Sequence, residues 1–336
     1  MAIATAARLG VRTAVLLHKG FLVEQWRARL ATFAPGARVG VVAQDTNAMV
    51  AGTRGGGAGL ARDPPHEPPD VVLVMIQTVL RRHAPPTTTF DTVGLVVVDE
   101  CHHVCARSFM RALLSFPARW RLGLTATPTR RDGLGHVLPW LLGPLAAEVA
   151  RAAPAVEVQW IDGAPDLAPV RDKRGKKGKV AYAPTVTALV EDAVRNGRLV
   201  RCLRAAVAAG RQAIVFSERR EHLRELAGHF PDTGALYLGE TTKRGKAARD
   251  ARAATANPLF ATYAMGEEGL DIPRLDLVLF ASPRGSPACI EQCVGRVLRA
   301  FPGKPTPRVV DVRDGVFKTM ARERARFYRG LGSSPV

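Results

Sequence analysis

Acidic residues are scarce in this 336-residue sequence: 30 Asp and Glu stand against 48 Lys and Arg, a formal charge of 48 − 30 = +18. Such an imbalance favours polyanionic partners, although only nine of the cations are lysines, the pattern that a GC-rich genome also produces. Long apolar runs are missing. Val71–Ile76 and Leu95–Val98 fall far short of the roughly 20 residues that a membrane-spanning helix needs, so no membrane partner is expected. The first residues, MAIATAARLGVRTAVLLHKG, lack the basic head, uninterrupted apolar stretch and small-residue cleavage site of a secretory signal. An intracellular location is therefore expected, with cytoplasm, nucleus and viral factory all compatible. Cysteine is sparse and odd in number: Cys101, Cys105, Cys202, Cys289 and Cys293 do not make a disulfide framework, and their two C-x-x-x-C pairs lack common zinc spacing. With 47% hydrophobic and 23% charged residues, disorder as the main state is excluded.

At roughly 150 residues per domain the length predicts two domains. Short β-branched runs alternate with helical stretches at Ala14–Leu17, Val39–Val42, Val71–Ile76, Leu95–Val98 and Leu122–Leu124. A second series follows at Ala213–Phe216, Ala235–Leu238, Leu259–Thr262, Leu277–Phe280 and Val309–Val312. Each rhythm predicts a parallel sheet covered by helices, hence an α/β fold in tandem. The poorly patterned stretch between them carries RDKRGKKGK, Arg171–Lys179, and reads as a basic linker. The expected boundaries are 1–150, a linker over 151–185, a second domain over 186–315 and a basic tail over 316–336. A Gly- and Pro-rich loop over Gly52–Pro69 reads as a surface insertion. No Lys-Ser or Lys-Thr follows its glycines, so it is not a phosphate-binding loop.

The strongest chemical signal is VVVDECHH, Val96–His103, where an apolar strand ends in two carboxylates followed by histidines. Strand ends present side chains at the ligand edge of an α/β sheet. In a nucleotide hydrolase Asp99 would hold a hydrated Mg²⁺ and Glu100 would polarise the attacking water; an isolated pair would only cap the next helix. Two dozen residues on, GLTATPTRRDG, Gly123–Gly133, is a second strand running into hydroxyls that can sense a neighbouring nucleotide. QCVGRVLR, Gln292–Arg299, places Arg296 and Arg299 three apart on one helical face, able to neutralise developing phosphoryl charge or simply to be solvated.

Taken together, these segments resemble the superfamily 2 helicases and translocases of the DEAD/DEAH-box type. DECH at Asp99–His102 matches motif II, TAT at Thr125–Thr127 motif III, and QCVGRVLR motif VI. VLLHKGFLVEQW, Val15–Trp26, is similar to motif Ia, IVFSERREHLREL, Ile214–Leu226, to motif IV, and ATYAMGEEGLDIP, Ala261–Pro273, to motif V. The HK-x-FL-x-EQW and TATP-x-R-x-DG patterns look closest to DNA helicases of the excision-repair, type III restriction and large-DNA-virus type. The resemblance implies two RecA-like doubly wound domains with ATP between them. It implies Mg²⁺ held through water by Asp99, catalysis by Glu100, and His102 and Gln292 linking motif II to motif VI. It implies coupling through Thr125 and Thr127, and γ-phosphate contact from Arg296 and Arg299, with Gly269 and Asp271 near the nucleotide. Lys19, Thr78, Thr242 and Thr262 would line a nucleic-acid groove, with DNA the expected partner. Phosphate contacts of that kind position a strand without reading its sequence.

Motif I of that family, Gly-x-x-x-x-Gly-Lys-Thr/Ser, is absent from these 336 residues: Gly245-Lys246 is followed by Ala247, Gly303-Lys304 by Pro305, and Gly175-Lys176 by Lys177. Met1–Gly10 looks like the helix that follows that loop. The first domain is therefore expected to be N-terminally incomplete, lacking a strand inside its sheet. Two functions compete on this reading: an ATP-dependent DNA helicase or translocase, and a catalytically inactive helicase-like nucleic-acid-binding protein.

Overall fold

The structure is a computed structural model that describes residues 1–42, 68–81, 90–125, 133–148, 155–164, 167–171, 180–239, 242–267 and 270–335. Most of the glycine-rich loop, the basic run over 172–179, Thr127 and Gly269 lie outside the described residues. The chain divides into two units, Met1–Ala150 and Arg151–Val336.

In the first unit, α1 (Ala2–Leu9) leads into β1 (Thr13–Leu17), α2 (Gly20–Phe33), β2 (Val39–Val42), β3 (Val71–Met75) and α3 (Ile76–Arg81). Then come β4 (Leu95–Asp99), a 3₁₀ turn over Cys101–Cys105, α4 (Arg107–Leu114), β5 (Trp120–Leu124) and α5 (Val137–Leu142). The five strands are parallel, in the order β2-β3-β1-β4-β5. All five residues of β1 are buried, which is why its sequence, TAVLL, reads as a continuous apolar run and not as an alternation. One face packs on Ala112, Leu113 and Phe116, the other on Ala2, Leu22 and Leu30. No described strand pairs with the outer edge of β5, and none of its five residues is fully buried.

The second unit contains β6 (Glu157–Asp162), α6 (Tyr182–Val190), α7 (Ala193–Ala208), β7 (Ala213–Ser217), α8 (Arg220–Gly228), β8 (Ala235–Tyr237) and α9 (Lys243–Thr255). It continues with β9 (Leu259–Thr262), α10 (Tyr263–Glu267), β10 (Leu277–Phe280), α11 (Pro287–Val297), β11 (Arg308–Arg313), α12 (Lys318–Gly330) and β12 (Ser334–Pro335). The strand order is β12-β6-β11-β10-β7-β9-β8, again parallel. Side-chain caps start three of the helices: Asp192 accepts from Arg195 N, Thr242 from Gly245 N, and Ser286 from Cys289 N with Pro287 next.

Part of the stretch read as a linker is thus a strand of the second sheet. β6 pairs with β11 over six positions, Glu157↔Arg308 to Asp162↔Arg313. Its EVQWID alternates where the central strands run apolar, so it escapes a search for β-branched runs. The stretch read as a basic tail contributes α12 and β12. Two buried ionic groups fasten this end of the unit. Arg195, on α7, donates from Nε and Nη2 to Asp314 at 2.8 and 3.0 Å and from Nη1 to the Ala281 carbonyl at 2.7 Å. Arg324, on α12, donates to Asp311 at 2.6 and 3.0 Å, and the Tyr328 hydroxyl donates to the same carboxylate at 2.7 Å.

Candidate active site

Strand order places the polar residues of the first unit. The chain leaves β1 toward β2 and β3 on one side and returns to β4 on the other, so the ends of β1 and β4 flank a topological switch point, where open α/β sheets bind ligands. His18 and Lys19 follow β1 there, and Asp99 and Glu100 close β4. Glu100 has φ 52°, alone in the left-handed region among the described non-glycine residues. A non-glycine residue in that region is uncommon, and strain of this kind collects at functional sites.

The carboxylates are held from several sides. Asp99 Oδ1 accepts from the Glu100 amide at 3.0 Å, and Oδ2 accepts from the indole N–H of Trp26 at 2.9 Å. Glu100 Oε2 lies 3.4 Å from His102 Nδ1, and the same ring nitrogen is 3.0 Å from Thr125 Oγ1. Motifs II and III therefore meet inside this unit. Gly123 permits that approach, since a Cβ there would fall 2.9 Å from Cys101 Sγ and 2.7 Å from Leu142. The rings of His18, His103 and His102 form a run, with centroids 4.5 and 4.1 Å apart. Burial, then the neighbouring His103, Lys19 and His102, push the His18 pKa down to about 4.

Asp99 fits a cation held largely by other ligands. Each of its oxygens accepts one described hydrogen bond and retains lone-pair capacity. Among the described residues no group of three His, Cys, Asp or Glu is arranged to hold a metal. That donor set suits Mg²⁺ bound by one carboxylate, waters and substrate phosphate, and does not suit a zinc cage.

In the second unit, Arg296 and Arg299 lie on and just after α11, and they turn toward the end of α10 and toward Leu270 and Asp271. Arg296 donates to the carbonyls of Gly266 at 2.8 Å, Glu267 at 3.2 Å and Leu270 at 3.3 Å. Arg299 donates to the Leu270 carbonyl at 3.0 Å and pairs with Asp271. The unit thus brings Asp271, Arg296 and Arg299 together, while Gln292 sits half-buried on α11. Gly266 lets α10 lie against α11: a Cβ there would be 2.7 Å from Cys293 Sγ.

The residues assigned to a nucleic-acid groove have different exposures. Thr242 is exposed and caps α9, Thr262 ends β9 half-buried, and Lys19 is half-buried at the start of α2. Thr78 is only 5% exposed, so its hydroxyl is closed off from a strand at the surface. Sequence reasoning passed over Trp26, because an aromatic residue on an amphipathic helix reads as core. It also passed over the switch point of the second sheet, between β7 and β10. There Arg284 donates to Glu218 at 2.8 Å, and the Tyr182 hydroxyl lies 3.0 Å from Glu218 Oε1 and 2.9 Å from the Pro283 carbonyl.

Comparison with known proteins agrees with this geometry. The family described as "Type III restriction enzyme, res subunit" matches residues 1–130, and "Helicase conserved C-terminal domain" matches residues 195–301. A protein of Acanthamoeba polyphaga mimivirus described as an ATP-dependent RNA helicase is 25% identical over 98% of this chain and 61% of its own length. A helicase of Escherichia phage T5 is 26% identical over 99% of this chain and 69% of its own. The chain thus spans about two thirds of these relatives. Among solved structures, Mycobacterium smegmatis helicase Lhr bound to ssDNA and AMP-PNP shares the fold with TM-score 0.55 and 20% identity, over 95% of this chain and 42% of that one. Dbp5 of S. cerevisiae, bound to RNA and ADP BeF3, does so with TM-score 0.58 and 10% identity, over 97% and 77%. The chain thus has two RecA-like parallel-sheet units, the first ending a strand in DECH and matching the res-subunit family, the second matching the helicase C-terminal domain, and the relatives it is similar to are described as helicases.

Proposed function

We propose that this chain is the two-lobed motor of an ATP-dependent helicase or translocase whose track is DNA. Residues 1–150 form the ATP-binding lobe and 151–336, wider than the 186–315 expected from sequence, the C-terminal helicase lobe on this reading. The observation that carries it is the end of β4, where Asp99 and Glu100 stand at the switch point and His102 ties them to Thr125. Bound Mg·ATP supplies the phosphoryl group and the charge that organises it. Asp99 would hold the hydrated ion, and Glu100, fixed by its left-handed backbone, would draw a proton from the attacking water. Thr125 reports the state of that site through His102, with Thr127 beside it in sequence. Arg296 and Arg299 exchange carbonyl partners for phosphate oxygens, next to Gly269 and Asp271 of the same motif. Lys19, Thr242 and Thr262 position the strand, and Thr78, buried, drops out of that set.

Turnover also needs a phosphate-binding loop, and none of the Gly-Lys pairs of these 336 residues supplies its pattern. The rival reading is a nucleic-acid-binding protein without turnover. Arg296 and Arg299 favour it as they stand, since their donors are taken by Gly266, Glu267, Leu270 and Asp271. DNA-stimulated ATPase activity decides between them. Turnover that vanishes in Glu100→Gln supports the motor; salt-sensitive DNA binding with no turnover supports the rival.

A further inference from the structure

Four cations that meet no carboxylate among the described residues gather on one face of α12, and that face is not among the helicase motifs. The helix cannot roll. Ala321, Arg324 and Tyr328 are 9%, 7% and 1% exposed, and the last two share the buried Asp311 carboxylate. At 3.6 residues per turn, Lys318, Arg322, Arg326 and Arg329 then fall within an arc of about 80° pointing away from the core, along about 16 Å of helix. All four are exposed, and among the described residues none meets an acceptor or a carboxylate. Glu323, the one acidic residue of the helix, lies outside the arc. Several other helix arginines of the unit are engaged: Arg195 with Asp314, Arg198 with the Asp162 and Gly163 carbonyls, Arg224 with Glu221 and Arg249 with Asp250.

A row of like charges at i, i+4 spacing destabilises a helix, and Lys318 stands at the N-terminal end, where the helix dipole disfavours a cation. A polyanion laid along the row reverses both penalties. The apolar side of α12 is already buried against the sheet, so the face offers charge without an apolar wedge, which suits a phosphate backbone and not a bilayer. We propose that the outward face of α12 is an accessory contact for the nucleic-acid backbone, outside the motif groove, through Lys318, Arg322, Arg326 and Arg329. The proposal rests on the reading of the chain as a nucleic-acid motor.

The test is fluorescence anisotropy of the full chain with a labelled single-stranded oligodeoxynucleotide over a series of salt concentrations. In Arg322→Ala/Arg326→Ala/Arg329→Ala the magnitude of the slope of log K against log salt should fall by about 2, from about 0.7 for each lost phosphate contact. Arg322→Lys/Arg326→Lys/Arg329→Lys should keep the slope, and Arg201→Ala/Arg204→Ala, on exposed positions of α7, should leave it unchanged. An unchanged slope in the alanine triple, or an equal loss per charge in the α7 pair, overturns the accessory contact and leaves the motor reading standing. No binding by the unaltered chain overturns both.

Discussion

Removing the Asp314 carboxylate isolates what a buried charge needs from its partner. Arg195 is 1% exposed and Asp314 3%, and the guanidinium has three acceptor contacts, two of them on this one side chain. Asp314→Ala leaves the cation with the Ala281 carbonyl alone. Breaking a buried pair from one side is destabilising by about 3–5 kcal/mol. For a urea m-value of about 2 kcal/mol/M, within the usual range for small domains, the midpoint should drop by about 1.5–2.5 M. Trp160 is the single tryptophan after residue 150, and its ring lies 5.9 Å from that of Tyr328, with Arg313 4.7 Å above it. In a background carrying Trp26→Phe, Trp120→Phe and Trp140→Phe, its emission follows this unit by itself. Adding Arg195→Met to Asp314→Ala should recover much of the loss, because the orphan charge goes with it. A loss under about 1 kcal/mol in the single variant, or a double variant as weak as the two singles added, would refute the reasoning.

Arg299→Ala should lower ATP turnover by about 10³-fold or more if the side chain reaches the phosphate; a loss under tenfold in steady-state assays makes it a fastener of residues 270–271. Trp26→Phe and Asp99→Ala should show a coupling energy of about 1.5 kcal/mol in a double-mutant denaturation cycle, the low end for a hydrogen bond to a charged group. Zero coupling removes Trp26 from the site. His222 is held neutral by burial, with the Arg195 charge adding to the effect and its pKa pushed down to about 3. The unfolded chain binds the proton from about pH 6.5 downward while the folded one does not. Stability should therefore be unaffected by this group above that pH and fall by about 1.4 kcal/mol per unit between about 6.5 and 3. His222→Gln should flatten that slope in urea titrations across the range.

The central strands were legible because a parallel sheet buried on both faces writes itself as an unbroken apolar run, and Leu259–Thr262 and Leu277–Phe280 fall where that pattern puts them. β6 was not legible, since its polar alternation resembles the connector around it, and neither was β12, two residues long. At the site, the identities of Asp99 and Glu100 announce carboxylate chemistry at a strand end. Their geometry does not show in the letters: the left-handed backbone of Glu100, the Trp26 bond and the meeting of His102 with Thr125 are tertiary facts. The same holds for Arg296 and Arg299, whose spacing shows a shared face but not the carbonyls they turn to. Gly123 and Gly266 read as ordinary motif letters until the sulfur atoms beside them are seen.

Among the described residues no strand covers the outer flank of β5, which matters for handling the protein. An apolar edge with free N–H and C=O groups is a template for another chain's strand. Arg121 is the only charged residue within WRLGL, and Trp120, Trp140 and Leu145 are 44%, 76% and 73% exposed. Concentrated solutions of the chain should therefore self-associate edge to edge, and a colloidal loss of that kind would mimic weak folding in any assay that does not vary protein concentration.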